Sequence, residues 1–244
     1  MPLKRPEIVN GEIYHIVTRT IEGIDLFRSE KDYFRMINNL FEFNDENPTD
    51  RDYRRNLSPP RNDLGGTLDR NFGGDRKKRK PLVEILAFCL MPNHIHLLIK
   101  QIRNDGISKL MHKIGAGYSG YYNKKYERNG HLFQGRYRIV RVSTEGQLKT
   151  VFVYIHTNPI SLIIPGWKNK GIQIKDINGA VNFLENKYKW SSYLDYLGKK
   201  NFPSLTNRKF LDKIMEGADS CREFVNSWLK FKKELVDFEK VVIE

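Results

Sequence analysis

His94 and His96 are the residues whose types and spacing point most directly to chemistry. They lie in Cys89-Leu90-Met91-Pro92-Asn93-His94-Ile95-His96-Leu97-Leu98-Ile99-Lys100. On an extended strand alternate side chains share a face, so both imidazoles project from one side while Ile95, Leu97 and Ile99 point to the other. Two adjacent imidazoles can bind a divalent metal and leave its other positions open. The same spacing also suits a surface pair or a satisfied, half-buried pair, and the pair alone does not choose among these. Tyr154 is the second candidate. Asn158 follows it by four residues, so the two share a helix face. A tyrosine there is either a nucleophile or a residue at the edge of the core. His156, about 200° round the helix from Tyr154, is expected to face elsewhere. His15, His112 and His131 have no partner spacing and read as surface or packing residues.

The elements that must position these residues follow from periodicity. Glu12 to Thr20 is rich in β-branched and aromatic residues and reads as a strand. Ser29 is a helix N-cap with Asp32 three residues on, and Phe34, Ile37, Leu40 and Phe41 follow at helical spacing. Val83 to Met91, broken by Pro92-Asn93, predicts a strand, tight turn and strand. Gly106 to Arg128 predicts a second long helix, capped by Ser108, with an apolar stripe of Leu110, Met111, Ile114, Tyr118 and Tyr121. A strand to about Val142 comes next. Thr144 and Gln147 form a capping box for a helix that buries Leu148, Val151, Phe152 and Ile155, and Pro159 ends it. From Ile160 to Lys189 the pattern is irregular. Trp190-Ser191-Ser192-Tyr193 reads as an aromatic anchor, and Lys209 to Val241 again has helical periodicity.

Charge narrows the class of partner. The 244 residues carry a net charge of +13, with a sequence pI near 9.6. Such an excess suits a polyanion, most simply nucleic acid. It is concentrated in two places. Residues 47–80 hold ten basic against five acidic side chains, without hydrophobic periodicity. They read as an inserted, largely disordered basic loop, either a solvated linker or a nucleic-acid-binding arm. Residues 104–142 hold eight against two. Their Lys109, Lys113, Lys124, Lys125, Arg128, Arg136 and Arg138 are the candidate DNA-backbone contacts. Cys89 and Cys221 lack zinc or disulfide-framework spacing. With no signal-like or membrane-spanning run, a cytoplasmic location and no membrane partner are expected.

Taken in order, five segments resemble the IS200-like, single-tyrosine transposases of the HUH class, and more closely the REP-associated tyrosine transposases. They are Tyr14-His15-Ile16-Val17-Thr18-Arg19, Cys89 to Leu98, Gly130-His131-Leu132-Phe133-Gln134-Gly135-Arg136-Tyr137, Tyr154-Ile155-His156-Thr157-Asn158-Pro159 and Trp190-Ser191-Ser192-Tyr193. The resemblance implies a ferredoxin-like (RRM-like) α/β sandwich, with an antiparallel sheet and helices on one face. It implies a transposase domain over 1–198, interrupted by the basic insertion, and a helical C-terminal extension over 199–244. By the same resemblance His94 and His96 bind Mg²⁺ or Mn²⁺, Asn158 completes the metal site, and Tyr154 attacks a phosphodiester to form a covalent 5′ phosphotyrosine. The implied substrate is single-stranded DNA with stem-loops, handled by a monomer or a homodimer. Two segments depart from the family pattern: the basic insertion, and Ile160-Ser161-Leu162-Ile163-Ile164, where a basic turn is usual. Two other readings stay open, a non-catalytic RRM-like module that binds nucleic-acid hairpins and a metal nuclease that uses water instead of Tyr154.

Overall fold

The computed structural model describes residues 5–47 and 79–231. Seven elements frame the site: β1 (Ile13–Arg19), α1 (Glu30–Phe43), β2 (Val83–Met91), β3 (His94–Gln101), α2 (Gly106–Lys125), β4 (Arg138–Val142) and α3 (Glu145–Thr157). The four strands form one sheet in the order β2-β3-β1-β4, with every neighbouring pair antiparallel. This βαββαβ order, with β1 and β3 at the centre, is the ferredoxin-like fold. Most of the basic insertion lies outside the described residues. Its base is held by Asn44, whose Oδ1 accepts from Leu82 N and Val83 N, both at 3.0 Å.

Register decides which residues share a face. Val17 pairs with His96, His15 with Leu98 and Arg19 with His94. These side chains therefore stand on one side of the sheet, and Tyr14, Ile16, Ile95, Leu97 and Ile99 on the other. The second set packs under α1 and α2. The first is covered too, which differs from an arrangement with helices on one face only. Ala87, Cys89 and Leu98 pair across β2 and β3 on the histidine side and are fully buried, so that side needs an apolar lid. The stripe Leu148, Val151, Phe152 and Ile155 of α3 supplies it, and all four are buried.

The second helix starts before its expected cap. Asp105 occupies the N-cap, and Ser108 lies inside the helix with its hydroxyl 3.3 Å from Tyr137 OH. Its capping is done from the sheet instead, because Gln101 Oε1 accepts from Ile107 N at 3.2 Å. Gly106 lets the Leu82 backbone approach the helix start: a Cβ there would lie 2.2 Å from the Leu82 carbonyl oxygen. Gly106→Ala is expected to force the backbones apart and cost about 2–3 kcal/mol, read as a lower urea midpoint.

One buried carboxylate joins α1 to α2. Asp32 Oδ2 accepts from Ser29 N at 2.9 Å, the reciprocal half of the capping box, and from Tyr126 OH at 2.6 Å. Its Oδ1 accepts from Tyr121 OH at 2.8 Å and from Lys125 Nζ at 2.5 Å. Burial pushes the Asp32 carboxyl up, but hydrogen bonds from Lys125, Tyr126, Tyr121 and Ser29 outweigh it and hold the group below 3.8. A folded-state value below the unfolded one adds stability that is present above pH 3.8 and is lost as pH falls through the folded value. Asp32→Asn is expected to cost about 3 kcal/mol at neutral pH. It should also flatten the acid limb of a stability-versus-pH curve measured by urea unfolding.

The C-terminal part packs onto this frame. Trp190 to Ser192 lies along the outer edge of β2, with Leu90 N donating to Trp190 O at 2.9 Å and Ser192 N to Phe88 O at 3.0 Å. The Trp190 ring stacks on Tyr33 with centroids 4.3 Å apart. The region expected to be irregular holds short helices at Trp167–Lys170 and Ile174–Asn182. Beyond it Phe202, Leu205, Leu211, Met215, Cys221, Val225, Trp228 and Leu229 are buried in the same core as the sheet.

Candidate active site

His96 is the centre of the site. It stands on the middle of a central strand, is fully buried and has a partner at each ring nitrogen. His15 Nε2 lies 3.1 Å from its Nδ1, and Asn158 Nδ2 lies 3.0 Å from its Nε2. With the Asn158 amide donating to Nε2, the His96 proton sits on Nδ1 and is donated to His15. The two imidazoles stack at 5.3 Å with 19° between their planes. Desolvation, with His94, His15, Lys168 and Arg19 also nearby, holds the His96 imidazole well below 6.5. It is neutral at physiological pH, the form that ligates metals.

His94 follows the turn at Pro92-Asn93, and its ring lies 4.8 Å from that of His96. Its Nδ1 is 2.7 Å from Asn93 Oδ1, a contact that requires Nδ1–H as donor and places the lone pair on Nε2. α3 carries Tyr154 across this face. The Tyr154 ring meets His96 edge-on at 5.5 Å and His15 at 5.9 Å. Its hydroxyl accepts a hydrogen bond from Lys168 Nζ at 3.2 Å, and that nitrogen lies 4.8 Å from the ring centroid. One turn further on, Asn158 Oδ1 is buried with no hydrogen-bond partner.

These donors can be tested against a metal. His94 presents an Nε2 lone pair. The Nε2 lone pair of His96 accepts from the Asn158 amide, where a metal would take the place of that hydrogen bond, and Asn158 Oδ1 is orphaned beside it. Neutral imidazole and amide oxygen suit a divalent cation such as Mn²⁺ or Mg²⁺. His15 does what a partner behind a metal-binding histidine does, since it fixes the His96 tautomer and ring orientation. Among the described residues no group of three or more His, Cys, Asp and Glu side chains could hold a metal.

The other sequence candidates are dispersed. His156 is fully buried on the far side of α3, its Nε2 2.8 Å from Ser192 Oγ. Lys125 is bound to Asp32, Lys113 Nζ donates to Asp45 O, and Arg128 donates to His131 O at 2.9 Å. Lys109 Nζ donates to Asn104 O at 3.2 Å, while Lys124 and Arg136 are exposed. Arg138 pairs with Val17 and so stands on the histidine face. So does Arg19, whose Nε is buried without a hydrogen-bond partner. A groove of about 550 Å³ lined by Arg5, Thr18, His112, Phe133, Arg136 and Tyr137 lies apart from this cluster, because Thr18 points to the opposite face of the sheet. Sequence reasoning missed His15 and Lys168. The alternation His15, Val17, Arg19 was a usable signal for the first, and nothing in 160–189 marked the second.

A ferredoxin-like sheet that presents a His-x-His pair to a helix-borne tyrosine defines the class of site. Residues 75–158 match the family model described as "Transposase IS200 like". The matched segment contains His94, His96, Tyr154 and Asn158. Among solved structures, a REP-associated tyrosine transposase bound to a REP hairpin is similar, at 13% identity and a TM-score of 0.48, covering 84% of this chain and 90% of that one. No curated protein matches. Among the described residues no helix is long and apolar enough to cross a membrane.

Proposed function

We propose that this protein is a metal-dependent DNA transposase that cleaves and rejoins single-stranded DNA beside hairpins through a phosphotyrosine on Tyr154. One observation carries the reading. Residues 62 positions apart in sequence meet in the fold, with Asn158 against His96 and the Tyr154 ring edge-on to His96 and His15. The match of 75–158 to the IS200-like family supports it.

In this reading Tyr154 Oη attacks phosphorus, and the bond from phosphorus to the 3′ oxygen of the preceding nucleotide breaks. The products are a 5′ phosphotyrosine and a 3′-OH, and the phenolic proton ends, net, on the 3′ oxygen. Rejoining is the reverse, with a 3′-OH as nucleophile and Oη as leaving group. The phosphodiester bond energy is kept in the adduct, so no nucleotide cofactor is required. A divalent ion held by His94, His96 and Asn158 would supply Lewis-acid polarisation of a non-bridging phosphate oxygen. His15 holds His96 in its ligating tautomer. Arg19 and Arg138, on the same face, favour an anionic backbone there. A single strand can bend into such a site where a duplex cannot.

The test is a denaturing gel of end-labelled hairpin DNAs with single-stranded flanks, incubated with Mg²⁺ or Mn²⁺ and separately with EDTA. The reading expects a labelled band retarded by the mass of the protein, present with metal and absent with chelator. Cleavage with no retarded band would assign the attack to water. Binding with neither would leave a hairpin-binding module.

A further inference from the structure

Lys168 is a cation that hydrogen-bonds the tyrosine oxygen. Its Nζ donates to Tyr154 Oη at 3.2 Å while lying 4.8 Å from the ring centroid. The family match ends at residue 158, ten positions before it, so nothing in that match assigns Lys168 a role. Its placement is built rather than incidental. Pro159 ends α3, a 3₁₀ turn carries the chain through Leu162, and Gly166 at φ +75° opens the short helix Trp167–Lys170. Trp167, 2% exposed, pins that helix into the core and leaves the next side chain reaching back over α3. Lys168 thereby lies over the Tyr154 ring.

We infer that Lys168 is a catalytic residue whose ammonium group stabilises the negative charge on Tyr154 Oη as its bond to phosphorus forms and breaks. The inference rests on the reading of Tyr154 as nucleophile. When the 3′-OH attacks the phosphotyrosine, the P–O bond to Oη breaks and its electron pair goes to Oη. The hydroxyl proton of the incoming strand is released and, net, ends on Oη. In the transition state that oxygen carries partial negative charge, and a donor already aimed at it stabilises the charge without reorganisation. In the cleavage direction the same contact lowers the energy of the attacking oxygen as its proton leaves. A fixed cation at Oη serves both directions because the oxygen is nucleophile in one and leaving group in the other.

The experiment uses the full chain with Mn²⁺ and a labelled hairpin DNA, and compares wild type, Lys168→Met, Lys168→Arg and Tyr154→Phe. Lys168→Met is expected to slow cleavage and rejoining by 10²-fold or more, with hairpin affinity within about twofold, and Lys168→Arg is expected to recover most of the rate. A readout that a structural role would not move is 3-fluorotyrosine placed at 154, whose oxygen is a better leaving group. In Lys168→Met it is expected to restore rejoining at least tenfold, and in wild type to change it little. Equal rates in Lys168→Met and wild type overturn the inference while the loss of adduct in Tyr154→Phe leaves the nucleophile in place. A slowed Lys168→Met that fluorotyrosine does not rescue also overturns it and reduces Lys168 to a packing residue. Cleavage surviving in Tyr154→Phe overturns the underlying reading itself.

Discussion

Tyr154→Phe is expected to abolish the protein–DNA adduct and to lower cleavage by at least about 10³-fold, while hairpin affinity stays within about twofold of wild type. The separation follows from geometry. Phenylalanine keeps the edge-on contacts to His96 and His15, both made by the ring and not by the hydroxyl. The side chain is only 8% exposed, so it offers little surface to the DNA outside the reacting centre. What is lost is the oxygen that accepts from Lys168. That hydrogen bond is worth about 1 kcal/mol of stability, too little to unfold the protein at working temperature. Single-turnover assays on denaturing gels, beside filter binding on the same preparation, separate the two effects. An adduct formed at the wild-type rate by the phenylalanine variant would remove Tyr154 from the chemistry.

His94→Ala and His96→Ala are expected to lose cleavage alike but to differ in stability. Either change removes an imidazole from the donor set, and a reduction of 10²-fold or more is expected from each, partly recovered at millimolar Mn²⁺ in His94→Ala. His94 is half-buried, so its removal should leave the urea midpoint nearly unchanged. His96 is fully buried between His15 and Asn158. Truncating it leaves two buried polar groups without their partner and opens a cavity, for a cost of about 2–4 kcal/mol. Calorimetric titration with Mn²⁺ should show one site in wild type and none in either variant. A wild-type cleavage rate from His94→Ala in EDTA would exclude the metal role outright.

The parts of the site lying in contiguous motifs were legible in the sequence. His94 and His96 announce their shared face through strand alternation, and Tyr154 and Asn158 through helix spacing. The capping boxes at Ser29 and Thr144 also placed both helix starts, because they are local hydrogen-bond patterns. His15 was not legible as part of the site. Its contact with His96 depends on the register of β1 against β3, across 81 residues and the basic insertion. Lys168 was invisible for a related reason, since an irregular turn and a buried Trp167, not a periodic pattern, aim it at Tyr154. Ser108 misled as a cap because the helix begins three residues earlier, at an Asp105 N-cap, where its first-turn Ile107 N–H is satisfied by Gln101 from a neighbouring strand. The charge pattern could not show that Lys125 ion-pairs with Asp32, a pairing that only the packing of α1 on α2 creates.

The most direct test of the central claim is to locate the adduct on the chain. Wild-type protein is incubated with hairpin DNA and Mn²⁺, denatured, digested with nuclease and trypsin, and its peptides are sequenced by mass spectrometry. The account predicts a nucleotide 5′ phosphate on Tyr154, in the peptide beginning at Thr150, and on no other tyrosine. A nucleotide carried by another side chain, or complete cleavage with every tyrosine unmodified, would contradict it.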